Sequence, residues 1–282
     1  MGRKREETAM TTNLFRCPHC GAQLTAMNGS YLCPARHTFD IARQGYVNLL
    51  TGRATQQHGD NKEMICARRD FLSAGYYDLL MERVADIAAR YALPDCRILD
   101  AGCGECSYTD RIARRLQEAG ITCQILGMDI SREALAIGGK RNKQLALAVA
   151  SLYHIPLANE SIDLLFEIFA PHCGEEYHRV LCKGGKMVMV IPGTRHLFGL
   201  KAALYDTPYE NEVADTALPG FQMVEQKSIR YTITLSNEKD LWNLFTMTPY
   251  FYRTSPKDKE KLRQSSPLDT EIAFEVLVYE KL

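Results

Sequence analysis

Two groups of side chains in this 282-residue chain have the types and the spacing to do chemistry. The first is Cys17-Pro18-His19-Cys20-Gly21, followed after twelve residues by Cys33-Pro34-Ala35-Arg36-His37. A Cys-x-x-Cys turn with glycine behind it lets two thiolates converge from one knuckle, and Cys33 with His37 supplies a second pair. Three thiolates and one imidazole form a tetrahedral set suited to zinc. Four protein ligands leave no position for water or substrate, so the expected Zn2+ is structural rather than catalytic. His19 competes with His37 as the fourth ligand, but its place inside the first turn favours His37.

The second group is Ile98-Leu99-Asp100-Ala101-Gly102-Cys103-Gly104-Glu105-Cys106, an apolar strand running into a glycine-rich turn, with a helix expected to begin near Ser107. Glycines permit close backbone approach and left-handed φ angles, and the turn lies at the carboxyl end of a strand, where open α/β sheets bind ligands. A second acid, Asp129, closes the next strand in Leu126-Gly127-Met128-Asp129-Ile130. A carboxylate there can accept hydrogen bonds from both hydroxyls of a ribose. The dinucleotide fingerprint is incomplete, because position 107 is serine where a third glycine would stand. The turn reads as nucleotide-binding, and with the second acid it fits an NAD enzyme as well as a methyltransferase, but no pyrophosphate loop is complete.

Elements must hold these residues in place, and their pattern divides the chain. A basic N-terminus over 1–14, expected to be disordered, precedes a zinc-binding segment over 15–50. A linker and helical connector follow over 51–92, and an α/β domain over 93–282. Residues 51–61 contain almost no apolar side chains. In the connector, Met64, Ala67, Phe71 and Ala74 keep helical spacing, as do Leu79, Leu80, Val84, Ile87 and Ala88 after Gly75, which predicts a broken helix pair. Runs rich in Ile, Val and Leu at 97–101, 121–128, 145–150, 162–168 and 186–191 alternate with helical segments, the rhythm of parallel β-α-β units. Long strands at 221–235 and 270–282, flanking a helix near 237–246, finish the sheet with an antiparallel strand.

Composition bounds the partners. With 46% hydrophobic and 24% charged residues the chain is an ordinary globular protein. No apolar run reaches the ~18 residues of a membrane span, and the start lacks a secretory leader, so the expected location is the cytoplasm, with no membrane partner and with thiols reduced or metal-bound. Lys plus Arg and Asp plus Glu both number 34, so a nucleic-acid contact would have to be patchy. Basic residues do gather early, at Arg3, Lys4, Arg5, Arg36, Arg43, Arg53, Arg68 and Arg69, although a solvated surface explains them equally well.

Asp-x-Gly-x-Gly with a second-strand acid, and Lys183-Gly184-Gly185-Lys186 ahead of an Ile/Val strand, resemble the class I methyltransferases. The resemblance implies an α/β fold with a Rossmann-like seven-stranded sheet and S-adenosyl-L-methionine (SAM) as cofactor. Cys106 departs from the small residue, commonly glycine, that the family carries there. The joined motifs are more specific. They are Cys-Pro-x-Cys; Tyr31-x-Cys33 with His37-x-Phe39-Asp40-x-Ala42 and Gly45-Tyr46-Val47-Asn48-Leu49-Leu50; Ala67-Arg68-Arg69-x-Phe71-Leu72-x-Ala74-Gly75-x-Tyr77; Phe169-Ala170-Pro171; and Pro192-Gly193-x-Arg195-His196-Leu197. From about residue 15 to Thr248-Pro249 they resemble the bacterial 23S ribosomal RNA (guanine-N1)-methyltransferases, a family with housekeeping and macrolide-resistance members.

That resemblance implies methylation of guanine N1 in a hairpin loop of 23S ribosomal RNA by a homodimer whose zinc region helps to recognise RNA. It also implies that Tyr77, Gly104, Glu105 and His196 contact or border SAM beside Asp100, Gly102 and Asp129, with helix packing the competing role for Tyr77. The sulfonium already activates the methyl group, so orientation carries most of the catalysis. Guanine N1 bears a proton at neutral pH and calls for a base. His172, His178 and His196 are candidates because imidazole titrates near neutrality, and the sequence does not choose among them. Tyr31, Phe39 and Tyr46, interleaved with Arg36 and Arg43, suit base stacking and phosphate contact, or else the finger's own small core. A small-molecule methyltransferase and a catalytically weak RNA-binding protein are the rival readings.

Overall fold

The computed structural model describes residues 14–51, 59–212 and 215–282. The expected disorder at the N-terminus, the basic residues Arg3, Lys4, Arg5 and Arg53, and most of the expected linker lie outside the described residues.

The zinc segment begins with β1 (Thr25–Met27), β2 (Ser30–Leu32) and β3 (Thr38–Asp40), an antiparallel meander with no fully buried residue in any strand. Its last strand, β4 (Tyr46–Asn48), belongs elsewhere. The connector follows as α1 (Lys62–Ser73) and α2 (Asp78–Tyr91). Asn61 caps α1 by accepting from the Met64 amide at 2.9 Å, and the pair breaks at Gly75, whose φ of +86° favours glycine. The α/β region then runs β5 (Cys96–Ala101), α3 (Ser107–Glu118), β6 (Cys123–Asp129), α4 (Arg132–Arg141), β7 (Ala146–Val149), β8 (Ile162–Ile168), α5 (Gly174–Val180), β9 (Leu181–Pro192), α6 (Phe198–Leu204), β10 (Phe221–Leu235), α7 (Glu238–Thr246), α8 (Tyr250–Arg253), α9 (Pro256–Arg263) and β11 (Leu268–Lys281).

The main sheet has eight strands in the order β10-β11-β9-β8-β5-β6-β7-β4. From β9 to β4 neighbouring strands are parallel, whereas β11 and β10 run antiparallel to their neighbours. Helices cover both faces, so the central strands are apolar on both sides: Ile98 and Leu164 join the core on one face, Leu99 and Leu165 that on the other. The connector is built into the first of these cores through Phe71, Leu80, Val84 and Ala88.

The seven strands expected of the α/β region are β5 to β11, and the sheet holds an eighth. It comes from the zinc segment, as Val47 of β4 pairs with Ala148 of β7 while also bridging to Ile41. Phe15, Leu24, Val47 and Leu49 are buried in the same cluster as Leu99, Leu126 and Leu165. Close approach of α4 depends on Gly139, where a Cβ would stand 2.2 Å from the Gln44 carbonyl oxygen. The segment therefore shares the sheet and the core of the α/β region.

Candidate functional site

The two knuckles bring together the thiols of Cys17, Cys20 and Cys33 and the His37 ring, with all four ligand atoms within 4.8 Å of one another. Nδ1 of His37 lies 3.4 Å from Cys17 Sγ and 3.3 Å from Cys33 Sγ, and Cys20 Sγ lies 3.6 Å from Cys33 Sγ. Tetrahedral zinc with Zn–S bonds of about 2.3 Å and a Zn–N bond of about 2.0 Å needs edges of roughly 3.5–3.8 Å, so the cluster fits the ion. The His19 ring instead stacks on Phe39 at 5.8 Å and stays out of the cluster. At Cys33, burial pushes the thiol up, but hydrogen bonds from the knuckle outweigh it and bring it down to about 7.

The glycine-rich turn lies where β5 meets its two neighbours, β6 and β8, the point at which strand order reverses. Gly102 and Gly104 take φ of +82° and +56°. The amides of Gly102 and Cys103 both donate to the Met128 carbonyl, at 2.8 and 3.0 Å, which pins the turn to the end of β6. Asp129 completes the junction by accepting from the amides of Gly104 (2.9 Å) and Ser131 (2.8 Å). Burial raises its pKa, against the pull of these amides and of Arg68.

Cys106 also takes a left-handed φ, +64°, which explains why glycine suits this position. Its buried thiol packs 3.8 Å from that of Cys103. The opposing residue on α4 is Gly138, where a Cβ would stand only 2.4 Å from Cys106 Sγ. The larger side chain in the turn is thus matched by a missing one on the neighbouring helix.

In front of the turn opens a cavity of about 890 Å3. Gly102, Gly104, Glu105 and Asp129 line it, with Ile130, Leu152 and Ile168 among its apolar walls. Asp100 is not on its wall. It is buried behind the turn, where Thr109 of α3 donates to its carboxylate, and desolvation pushes its pKa up to about 7. Tyr77 and His196 line a second, smaller cavity of about 230 Å3 that shares Phe169, Met247 and Pro249 with the first. Both are buried, with Tyr77 Oη 3.5 Å from His196 Nε2 and the Ala273 amide donating to His196 Nδ1. Desolvation lowers the imidazole pKa to about 3.

Several wall residues escaped the sequence reading as cavity residues. Tyr108, on the first turn of α3, lines the large cavity with a buried hydroxyl that has no hydrogen-bond partner. Burial keeps it protonated, so a donor waits there for a polar ligand. Arg68 of α1, paired with Asp60 at 2.5 Å, and Met247, Pro249 and Tyr252 from around α8 form the opposite side. The mouth carries exposed aromatic rings at Tyr153, Phe169 and Tyr252. The motif stretches holding Arg68, Phe169-Ala170-Pro171 and Pro249 mark parts of this wall in the sequence, without saying that they meet. An open cavity holding an unpartnered donor, a ribose-suited carboxylate and apolar walls fits a nucleoside cofactor such as SAM.

Comparison with known proteins agrees with both halves. Residues 15–54 match the zinc-ribbon family model described as "RlmA, N-terminal", and residues 98–185 match a methyltransferase domain. A putative 23S rRNA (guanine-N(1)-)-methyltransferase from Micromonospora griseorubida is 36% identical over 266 residues, covering 86% of this chain and 88% of the relative. The 23S rRNA (guanine(748)-N(1))-methyltransferase of Streptomyces fradiae is 32% identical, with the same coverage. A putative 23S rRNA (guanine-N(1)-)-methyltransferase of Bacillus subtilis is 30% identical over 94% of this chain and 96% of its own length. With a Cys3His cluster, a SAM-type cavity and relatives that match along nearly the whole length, the chain belongs to the 23S rRNA (guanine-N1)-methyltransferase family.

Proposed function

We propose that the protein transfers a methyl group from SAM to N1 of a guanine in a hairpin loop of 23S ribosomal RNA. The observation that carries the reading is the cavity itself, whose floor is a nucleoside-type turn and whose mouth is ringed by Tyr153, Phe169 and Tyr252. Exposed aromatic rings at the mouth of a methyl-donor site suit an unpaired base, which stacks through its π-face while offering its Watson–Crick edge. A loop guanine enters without breaking a base pair, which lowers the cost of extrusion.

In this reading Gly102, Gly104, Glu105 and Asp129 hold SAM, with Tyr108 donating to it. Asp100 steadies the turn from behind through Thr109, and Tyr77 and His196 shape the adjoining cavity. SAM supplies an electrophilic methyl group on a sulfonium. The chain binds it, excludes water with the walls from α1 and α8, and aligns the base. Cys17, Cys20, Cys33 and His37 hold structural zinc, and Arg36 and Arg43 of the ribbon face the RNA backbone. A homodimer and a cytoplasmic workplace follow from the family resemblance and an RNA substrate. No helix among the described residues is long and apolar enough to cross a membrane.

The test incubates labelled SAM with unmodified 23S RNA, a hairpin-loop fragment and a panel of small-molecule acceptors, mapping product by a primer-extension stop. Transfer to RNA with a stop at one loop guanine is the expected result. Label entering a small molecule and no RNA would replace this reading with that of a metabolite methyltransferase.

A further inference from the structure

SAM brings three charged groups to its site: a cationic sulfonium, a cationic α-ammonium and an anionic α-carboxylate. The wall of the large cavity carries the complementary set. Asp60, Glu105 and Asp129 line it, and among the described residues on that wall Arg68 is the one cationic side chain. The histidines that the sequence left equal add no charge there. His196 lines only the smaller cavity and is held neutral by desolvation. His172 is turned to Glu167, with Nδ1 2.8 Å from its carboxylate, and His178 packs edge-on against Phe221 at 5.6 Å; neither lines either cavity.

The place of Arg68 follows from helical spacing. Met64, Ile65, Arg68 and Leu72 all line the cavity, so one face of α1 looks into it. The other three are apolar and buried, which leaves a guanidinium partly stripped of water among them, with 29% of its side chain exposed. Nη2 is paired with Asp60 at 2.5 Å, just ahead of the helix. Nη1 stands over the glycine-rich turn, 4.0 Å from where a Cβ on Gly104 would be, and has no acceptor among the described residues. The buried Tyr108 hydroxyl, also without a partner, is on the same wall and within reach of the Arg68 charge. Two donors therefore flank the turn on its cavity side, one cationic and one neutral, each with a proton to give.

We propose that Arg68 binds the α-carboxylate of SAM through Nη1, with the Tyr108 hydroxyl as a second donor and Asp60 as the positioning residue that holds the guanidinium over the turn. The assignment rests on the placement of SAM given above, in which Asp129 faces the ribose. A carboxylate has lone pairs enough to accept from both donors, and a charge-assisted bond in a part-buried wall is stronger than one in open water. The ion pair with Asp60 fixes the guanidinium before the ligand arrives, so little ordering is left to be done on binding. The α-ammonium, borne by the same carbon as the carboxylate, answers the charge of Asp60.

The experiment measures binding to the full chain by calorimetry with two ligands. One is SAM, and the other is decarboxylated SAM, which keeps the adenosine, sulfonium and amine and lacks only the carboxylate. Wild type should prefer SAM by about 100-fold. Arg68→Gln should weaken SAM by roughly 30-fold and leave the analogue within about threefold, so that the two affinities converge. Arg68→Lys, which keeps the charge and loses the planar fork, should fall between. Tyr108→Phe should take roughly threefold from SAM alone, and Asp60→Asn should narrow the preference without abolishing it. Equal weakening of both ligands by Arg68→Gln would overturn the assignment, as would an unchanged SAM affinity in both Arg68 variants. Asp129→Asn touches the ribose that the ligands share and should weaken them alike; an unequal loss there would overturn the placement of the cofactor instead.

Discussion

The zinc segment and the cofactor turn both hold functional side chains in place, but by opposite means. Strands β1 to β3 of the zinc segment bury no residue fully, so the ribbon depends on its metal cluster and on a few anchors such as Phe15, Leu24 and Val47. The cofactor turn is surrounded by the sheet, tied by backbone hydrogen bonds to Met128 and Asp129, and packed against α4. One region is organised by a ligand set and the other by packing. Damage to the first should therefore be local and chemical, and damage to the second cooperative and steric.

The largest separation between the two should come from removing zinc. Replacing Cys17 and Cys20 by Ser should release the ion, whose binding is worth on the order of 10 kcal/mol in small zinc folds. RNA methylation should then fall by about 100-fold or more, while SAM affinity changes by less than about threefold, since no cluster residue lines the cavity. An equal loss in both assays, read by calorimetry and label transfer, would show that the turn leans on the metal after all.

A smaller effect tests the packing side. Gly138→Ala drives a Cβ into the Cys106 thiol and should cost about 1–3 kcal/mol in denaturant unfolding, as overpacked cores do. Cys106→Gly in the same chain should recover most of that, because glycine takes the left-handed φ without strain and removes the thiol. Additivity of the two substitutions would break the argument for a matched pair.

The smallest effect is one of pH. His196 has a folded pKa near 3 against about 6.5 unfolded, so the unfolded chain binds the extra proton between those values. Its contribution is present above pH 6.5 and is lost as pH falls, by about 1 kcal/mol over the first unit. Asp100, raised to about 7, acts in the opposite sense between about pH 4 and 7, which is why the comparison needs a variant. His196→Gln should flatten the acid side of the stability profile relative to wild type; an identical profile would mean the imidazole is not held neutral.

Much of this was legible because local patterns matched global ones. The apolar runs became β5 to β9 within a few residues, Gly75 did break the connector, and both cysteine knuckles stood in plain spacing. What escaped depends on long-range placement. Strand β4 is three residues long and has a partner about 100 residues away, so no periodicity marks it. Tyr108, Arg68 and Tyr252 face one cavity from three separate helices, and only the fold brings them together. Asp100 was readable as part of a nucleoside turn but not as lying behind it, since that depends on Thr109 one helical turn into α3. The three histidines differ in burial and partners alone, which residue type does not carry.

Strand β4 joins the ribbon to the sheet edge beside β7 through a register that a one-residue slip would turn inside out. The metal-bound arm and the methyl-donor cavity are thereby set at a fixed separation, like the jaws of a calliper that has been locked. On the proposed reading, a folded RNA held by the ribbon would offer to the cavity only the nucleotide that lies at that distance. Choice among neighbouring guanines with identical edges would then be a measurement of length, made by the joint between two strands before any contact with the base itself.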